Sequence, residues 1–455
     1  MKVSKRLKGW AWVAALGCAA LLGAGACGDD AAPVFEAGQQ GVPDAEAPDV
    51  VEPEEDTTGL EDAAPDLPDS PPQDAASPED GADDVPSPDD ASVDPPEADV
   101  PVEDAQAPED VEPPQPDADE PPPVPDWWEP PLETPAHEWT WVDFPDTRCA
   151  DGSITGLGIN YSPGADKVLL YMEGGGACWD YNTCFGPVST ALHLDGFNAR
   201  TFDGLITDVY LNSLLFDRDD ARNPFADAHI VFLPYCTADV FGGDRIAQLE
   251  GPFGQRELIH FRGRANLEAY LARLVPTFQD VDKVVLSGSS AGGFGAGFSW
   301  PLVQERFGDI RVDVLDDSGP PLDPDDGLWA HWQEAWNVRL PEGCDGCERS
   351  VAAVRDHLTQ TMVPGRRLGL LSFTRDTVIS AFFGLLPIIF EERLRQACGD
   401  FEQVEGANCF VVRGRLHTLL LLGAQNTTAD SGLPMWRWIE QMVEDDPEWS
   451  QQMPR

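Results

Sequence analysis

Beyond the first third of the chain, short apolar runs alternate with polar breaks rich in glycine and proline. Residues 153–161, 167–172, 229–235, 283–287, 312–315, 367–374 and 409–413 read as strands, with Ser162-Pro163-Gly164-Ala165-Asp166 as a turn-rich loop after the first. Several of them are continuously apolar, as expected of strands covered on both faces. Residues 265–275 read as a helix that leads into the strand at 283. Strands and helices in alternation predict an α/β domain with a mostly parallel central sheet flanked by helices. Trp127, Trp128, Trp139 and Trp141 mark where core-type composition begins, so the folded domain is expected over 127–455.

Composition changes the picture upstream. The chain has 455 residues, 81 acidic against 29 basic, and a formal net charge of −52. Most of that excess sits in 27–126, where Asp, Glu, Pro, Ala, Val and Ser dominate and Lys and Arg are absent. Such a stretch holds too little apolar material to offset the entropy of ordering. A disordered, charge-extended tether is expected there, with calcium or cell-wall cation binding as a competing reading that no ligand spacing supports. So acidic a chain is not expected to bind nucleic acid. Residues 1–26 read as an export signal: Lys2, Lys5, Arg6 and Lys8 precede an apolar run from Trp10 to Leu22 and the small residues Gly23 to Ala26. Leu22-Gly23-Ala24-Gly25-Ala26-Cys27 resembles a bacterial lipobox, with Ala24 where Leu is usual. It implies lipidation at Cys27 and a membrane-anchored protein at the cell envelope or surface, with simple secretion as the alternative.

Eight of the ten cysteines fall in the folded part. An even number outside the cytoplasm reads as disulfides. Close spacing pairs Cys178 with Cys184, Cys344 with Cys347 and Cys398 with Cys409, leaving Cys149 for Cys236. Half a zinc site at Cys344 and Cys347 is the competing reading, but no second CxxC or paired histidines accompany it. No metal is expected.

The candidate chemistry centres on Gly288-Ser289-Ser290-Ala291-Gly292, directly after a buried strand and before a small-residue helix start. A G-x-S-x-G turn in that setting holds its serine hydroxyl out at the tip of a sheet, which makes Ser290 a candidate nucleophile. Glu173-Gly174-Gly175-Gly176 ends another strand, and its glycines let N–H groups approach a ligand closely. Gly175, Gly176 and Ala291 are the candidate oxyanion donors. Asp376, just past the 367–374 strand, and His417, after the last strand, complete a Ser, Asp, His order along the chain. Asp316 and Asp317 compete with Asp376 for the acid, although they follow Ser290 by only one strand. The apolar run 381–390 fits an acyl pocket or lid as well as a buried helix kinked at Pro387; it is short for a membrane span.

Together EGGGACWDYNTC (173–184), PYCTAD (234–239), GSSAGG (288–293), DDSG (316–319), TRDTVI (374–379) and GRLHT (414–418) resemble the pectin acetylesterase/Notum family of serine carboxylesterases. The resemblance implies an α/β-hydrolase fold, a triad of Ser290, Asp376 and His417, and donors at Gly175, Gly176 and Ala291. It also supports the pairs Cys149–Cys236 and Cys178–Cys184. Two positions depart from the pattern: Ala177 stands where plant members carry Trp, and Ala238 where a Gly is usual. The implied activity is cofactor-free ester hydrolysis by a monomer, first of O-acetylated polysaccharide such as pectin. A Notum-like deacylase, a general carboxylesterase or a non-catalytic surface binding protein on the same fold are the alternatives.

Overall fold

The computed structural model describes residues 125–455, apart from 188, 326 and 422–425. The expected export signal, Cys27 and the expected tether as far as residue 124 lie outside the described residues. Ten strands are described: β1 (Trp139–Phe144), β2 (Thr155–Asn160), β3 (Lys167–Met172), β4 (His229–Leu233), β5 (Arg245–Glu250), β6 (Arg256–Phe261), β7 (Lys283–Ser289), β8 (Arg311–Asp317), β9 (Leu368–Phe373) and β10 (Ala407–Val412). The α-helices are α1 (Tyr181–Phe185), α2 (Ala199–Asp208), α3 (Gly263–Thr277), α4 (Ala291–Phe307), α5 (Leu328–Trp336), α6 (Val351–Thr361), α7 (Thr377–Phe382), α8 (Pro387–Phe401) and α9 (Met435–Val443).

Eight strands form one sheet in the order β1-β2-β4-β3-β7-β8-β9-β10, and β5 and β6 form a separate hairpin. Strands β4, β3, β7, β8, β9 and β10 run parallel, while β1 and β2 are antiparallel at one edge. Burial alternates along β3: Val168, Leu170 and Met172 enter the core on one face, Leu169 and Tyr171 the core on the other. Covered faces explain why these strands lack polar alternation.

Register decides where the site is built. Met172 pairs with Gly288, and Gly288 with Asp316, so β3, β7 and β8 end level. Phe373 pairs with Val412, which carries the ends of β9 and β10 to the same edge. The loops holding Gly175, Ser290, Asp376 and His417 therefore all leave the carboxyl edge of one sheet, where ligand sites of such sheets are formed.

The apolar run 381–390 is not one kinked helix, and its Phe382 and Phe383 line a cavity. The run is the end of α7, a turn at Gly384 with φ 67°, and the start of α8. Pro387 sits at the first position of α8, where its missing N–H is no loss, so it opens a helix and bends none. No helix among the described residues is long and apolar enough to cross a membrane. Disulfides join Cys149–Cys236, Cys178–Cys184, Cys344–Cys347 and Cys398–Cys409. No cluster of metal-ligating side chains occurs among the described residues.

Candidate active site

Ser290 joins β7 to α4 with φ 59° and ψ −120°, a conformation that costs a non-glycine residue about 1–3 kcal/mol. Tight packing around the turn holds it there. A Cβ on Gly292 would stand 2.0 Å from the Met172 carbonyl oxygen at the end of β3, so only glycine lets the helix start this close to the neighbouring strand. The Ser290 N–H donates to the Asp317 carbonyl at 2.7 Å.

Asp376 is fully buried and caps α7: its Oδ1 accepts from Val378 N–H at 2.9 Å and Ile379 N–H at 3.0 Å. The other oxygen, Oδ2, lies 2.6 Å from His417 Nδ1. A carboxylate only accepts, so Nδ1 carries the proton and Nε2 is left as an acceptor. That Nε2 is buried and has no hydrogen-bond partner. No hydrogen bond joins it to the Ser290 hydroxyl among the described residues, and such bonds are often long until substrate binds.

Asp317 ties the two halves of this arrangement together. It is fully buried, and its Oδ1 accepts from Leu419 N–H at 2.7 Å and the Ser318 hydroxyl at 3.1 Å. Its Oδ2 accepts from Leu420 N–H at 3.0 Å and the Ser289 hydroxyl at 2.7 Å. Tyr171 in turn donates to Ser289 Oγ at 2.9 Å, and Thr418 N–H donates to Ser318 Oγ at 3.2 Å. The serine turn and the histidine loop thus hang on one carboxylate, which burial pushes toward its protonated form while these donors oppose the push. Asp317 faces backbone N–H groups and hydroxyls, whereas Asp376 faces the imidazole. Sequence preferred Asp376 over Asp317 as the acid, and it is Asp376 that stands beside the imidazole.

The glycine loop runs beside the serine turn. A Cβ on Gly174 would lie 3.1 Å from Ser290 Cβ, and Gly176 takes φ 74° with the Thr190 carbonyl oxygen 2.1 Å from where its Cβ would be. Ala177 N–H donates to Thr190 O and Leu192 N–H to Gly175 O, so the loop is pinned from outside. The N–H groups of Gly175, Gly176 and Ala291 have no acceptor among the described residues. Underneath, buried Glu173 accepts from Tyr235 N–H at 2.9 Å and stands 3.6 Å from His193 Nε2. Burial opposes a charge on His193, yet its pKa is raised because Glu173 outweighs that effect. Sequence reading passed over Glu173 as a support and Ser289 as a link, since neither follows a motif of its own.

A cavity opens at Ser290, lined by Ala177, Phe294, Phe298, Trp332, Phe382 and Phe383 among others, with almost no polar surface. Phe383 stands 5.7 Å from Phe294 and 5.8 Å from Trp332, ring to ring. The tryptophans come from α5, where nothing in the local sequence signals a pocket.

A strained strand–serine–helix turn at the level edge of a mostly parallel sheet is the arrangement of the α/β-hydrolase fold. The family model described as pectinacetylesterase matches residues 137–338. Palmitoleoyl-protein carboxylesterase NOTUM of Schmidtea mediterranea is 26% identical over 228 residues, 44% of this chain and 41% of that protein. The NOTUM of Mus musculus is 30% identical over 186 residues, 38% of this chain and 34% of that protein. The chain thus spans well under half the length of these curated relatives. A crystal structure of the Wnt deacylase Notum from Drosophila superposes with a TM-score of 0.50 at 18% identity, over 70% of this chain and 96% of that one. The chain is thus similar to pectinacetylesterases over residues 137–338 and to Notum carboxylesterases over about two fifths of its length, and it shares their fold.

Proposed function

We propose that the chain is a serine carboxylesterase. Ser290 Oγ attacks the ester carbonyl carbon while His417 Nε2 takes its proton, and Asp376 stabilises the imidazolium through Nδ1–H. The oxyanion is received by the free N–H groups of Gly175, Gly176 and Ala291; losing one such donor typically costs about 100-fold or more. Collapse expels the alcohol, which leaves with the proton from His417. Water, deprotonated by His417, then cleaves the acyl-serine, releasing the acid and restoring the hydroxyl. What supports this reading most is a buried histidine nitrogen left without a partner, behind a helix-capping aspartate, at the sheet edge that carries Ser290.

The apolar, aromatic chamber at Ser290 favours an acyl group longer than acetyl, since two carbons would leave most of that surface unused. Ala177 contributes by lining the chamber where plant relatives carry Trp. The second reading, deacetylation of an O-acetylated polysaccharide, rests on the pectinacetylesterase family match. A series of p-nitrophenyl esters from acetate to dodecanoate separates them. Rising kcat/KM with chain length supports the first; an acetate optimum with acetate release from acetylated pectin supports the second. Ser290→Ala with undiminished turnover would remove the mechanism altogether. A non-catalytic binding protein would fail to take a fluorophosphonate label at Ser290.

Export and anchoring are part of the same proposal. Four disulfides suit a compartment outside the cytoplasm. A mature N-terminus at Cys27 bearing acyl mass in mass spectrometry is the expected result, and an unmodified, free end would refute anchoring.

A further inference from the structure

The chamber at Ser290 has a neighbour. Phe294 and Phe298 line it, and both also line a second, mostly apolar cavity whose remaining wall includes Leu358, Leu370 and Phe401. The two rings are four residues apart on α4, so they stand one above the other. Because α4 begins directly after Ser290, the column Ser290, Phe294, Phe298 runs along one helix face away from the nucleophile. Both phenylalanines are half-buried.

The second cavity holds one group out of keeping with its lining. Asp316, at the end of β8, is 4% exposed and lines the cavity. Its Oδ1 accepts from Gly319 N–H at 2.8 Å, which leaves Oδ2 as the oxygen not used by that turn. Burial, with the Asp317 carboxylate beside it, pushes Asp316 up to about 8. Near neutral pH it is therefore mostly a neutral acid, able to donate and to accept. The turn at Gly319 needs only one oxygen, which Asn would supply as well. A carboxyl lining an otherwise mostly apolar cavity offers its remaining oxygen to a polar group on a ligand. Arg355, also in the wall, has its guanidinium engaged by Asp356 and Asp400.

We propose that this second cavity is a distal subsite for the acyl chain, and that Asp316 selects chains carrying a hydroxyl at that depth. The proposal rests on the reading of Ser290 as nucleophile and of the first chamber as the acyl site. Reach sets the position of the hydroxyl. A Cβ on Gly293 would lie 2.4 Å from Asp316 Oδ1, so the carboxyl sits against the first turn of α4. With a rise of about 1.5 Å per residue and an extended hydrocarbon advancing about 1.3 Å per carbon, a chain that also passes the Phe294 ring places its hydroxyl on the order of five to eight carbons from the ester carbonyl.

The test compares p-nitrophenyl decanoate with its isomers hydroxylated at carbons 5 to 8, using the full folded chain. One isomer is expected to exceed the parent chain about tenfold in kcat/KM, the worth of one added hydrogen bond. Asp316→Leu should abolish that ratio. Phe298→Trp, which enlarges a side chain lining both cavities and leaves Asp316 in place, should abolish it too and serves if the first variant does not fold. Hydrolysis of all the esters without a preferred isomer, or a preference that survives both substitutions, overturns the subsite. Failure of the wild type to hydrolyse any ester points instead to failure of the esterase reading beneath it.

Discussion

Replacing Asp317 by Asn keeps the outline of the side chain and turns one oxygen into a nitrogen that can only donate. Four donors converge on the native carboxylate: two backbone N–H groups, from Leu419 and Leu420, and the hydroxyls of Ser289 and Ser318. Each oxygen serves one of each kind. Whichever way the amide turns, one backbone N–H and one hydroxyl therefore face an NH2 group. The hydroxyl can rotate and accept from it, but the N–H cannot. One buried donor left unpaired costs about 1–3 kcal/mol, and the crowding of donor against donor adds to it, so the loss of stability should reach about 2–4 kcal/mol. The strain also falls where it matters for chemistry, because the backbone group that loses its acceptor, that of Leu419 or of Leu420, lies two or three residues after His417. A displacement near 1 Å at such a site can cost about 100-fold in rate. Urea unfolding followed by tryptophan fluorescence measures the first effect, and kcat against KM on p-nitrophenyl butyrate the second. The expected signature is a fall in kcat with little change in KM. An Asp317→Asn enzyme with native stability and native kcat would refute the view that this carboxylate spaces the histidine loop from the serine turn.

Three further outcomes are expected. Ala177→Trp should fill the chamber at Ser290 and shift the ester-length optimum toward acetate, lowering kcat/KM on decanoate about tenfold or more while acetate changes little; an unchanged length profile would contradict the assignment of the chamber to the acyl group. Asp316 binds its proton more tightly folded than unfolded, so its contribution to stability is complete below the ordinary Asp value near 4 and is lost as pH rises to about 8. The stability difference between wild type and Asp316→Asn should therefore move against the wild type from pH 4 to 8, and a flat difference in denaturant titrations would refute it. Replacing Cys149 and Cys236 together by Ala opens a loop of sequence separation 87 and should cost about 3–5 kcal/mol, read as a lower urea midpoint.

Much of the fold was legible because buried parallel strands are written as compact apolar runs. The run at 167–172 coincides with β3, while β7 and β8 extend one or two residues beyond the predicted runs at polar ends such as Ser289 and Asp317. Strand β1 was missed because its tryptophans look like scattered packing, and the β5–β6 hairpin because its exposed face mixes Ile246 and Leu258 with Gln248, Glu250 and Arg256.

Ser290 could be picked out from sequence because a serine pivot between strand and helix needs glycines within two residues on either side, and that spacing is local. Asp376 and His417 could be proposed from their places after late strands and from the family resemblance of TRDTVI and GRLHT. What sets them 2.6 Å apart is the parallel register of β9 with β10, together with the α7 N-terminus that takes the other Asp376 oxygen. Chain order and resemblance singled out Asp376, but the role of Asp317 as a tie between two loops could not be read from the chain, because its backbone donors come from residues about a hundred positions away. The same holds for the aromatic chamber. Its walls come from α4, α5 and α7, far apart in sequence, and a shared cavity exists only once those helices pack over the sheet edge. Local spacing determined the pivot and the staples; long-range packing decided which side chains meet.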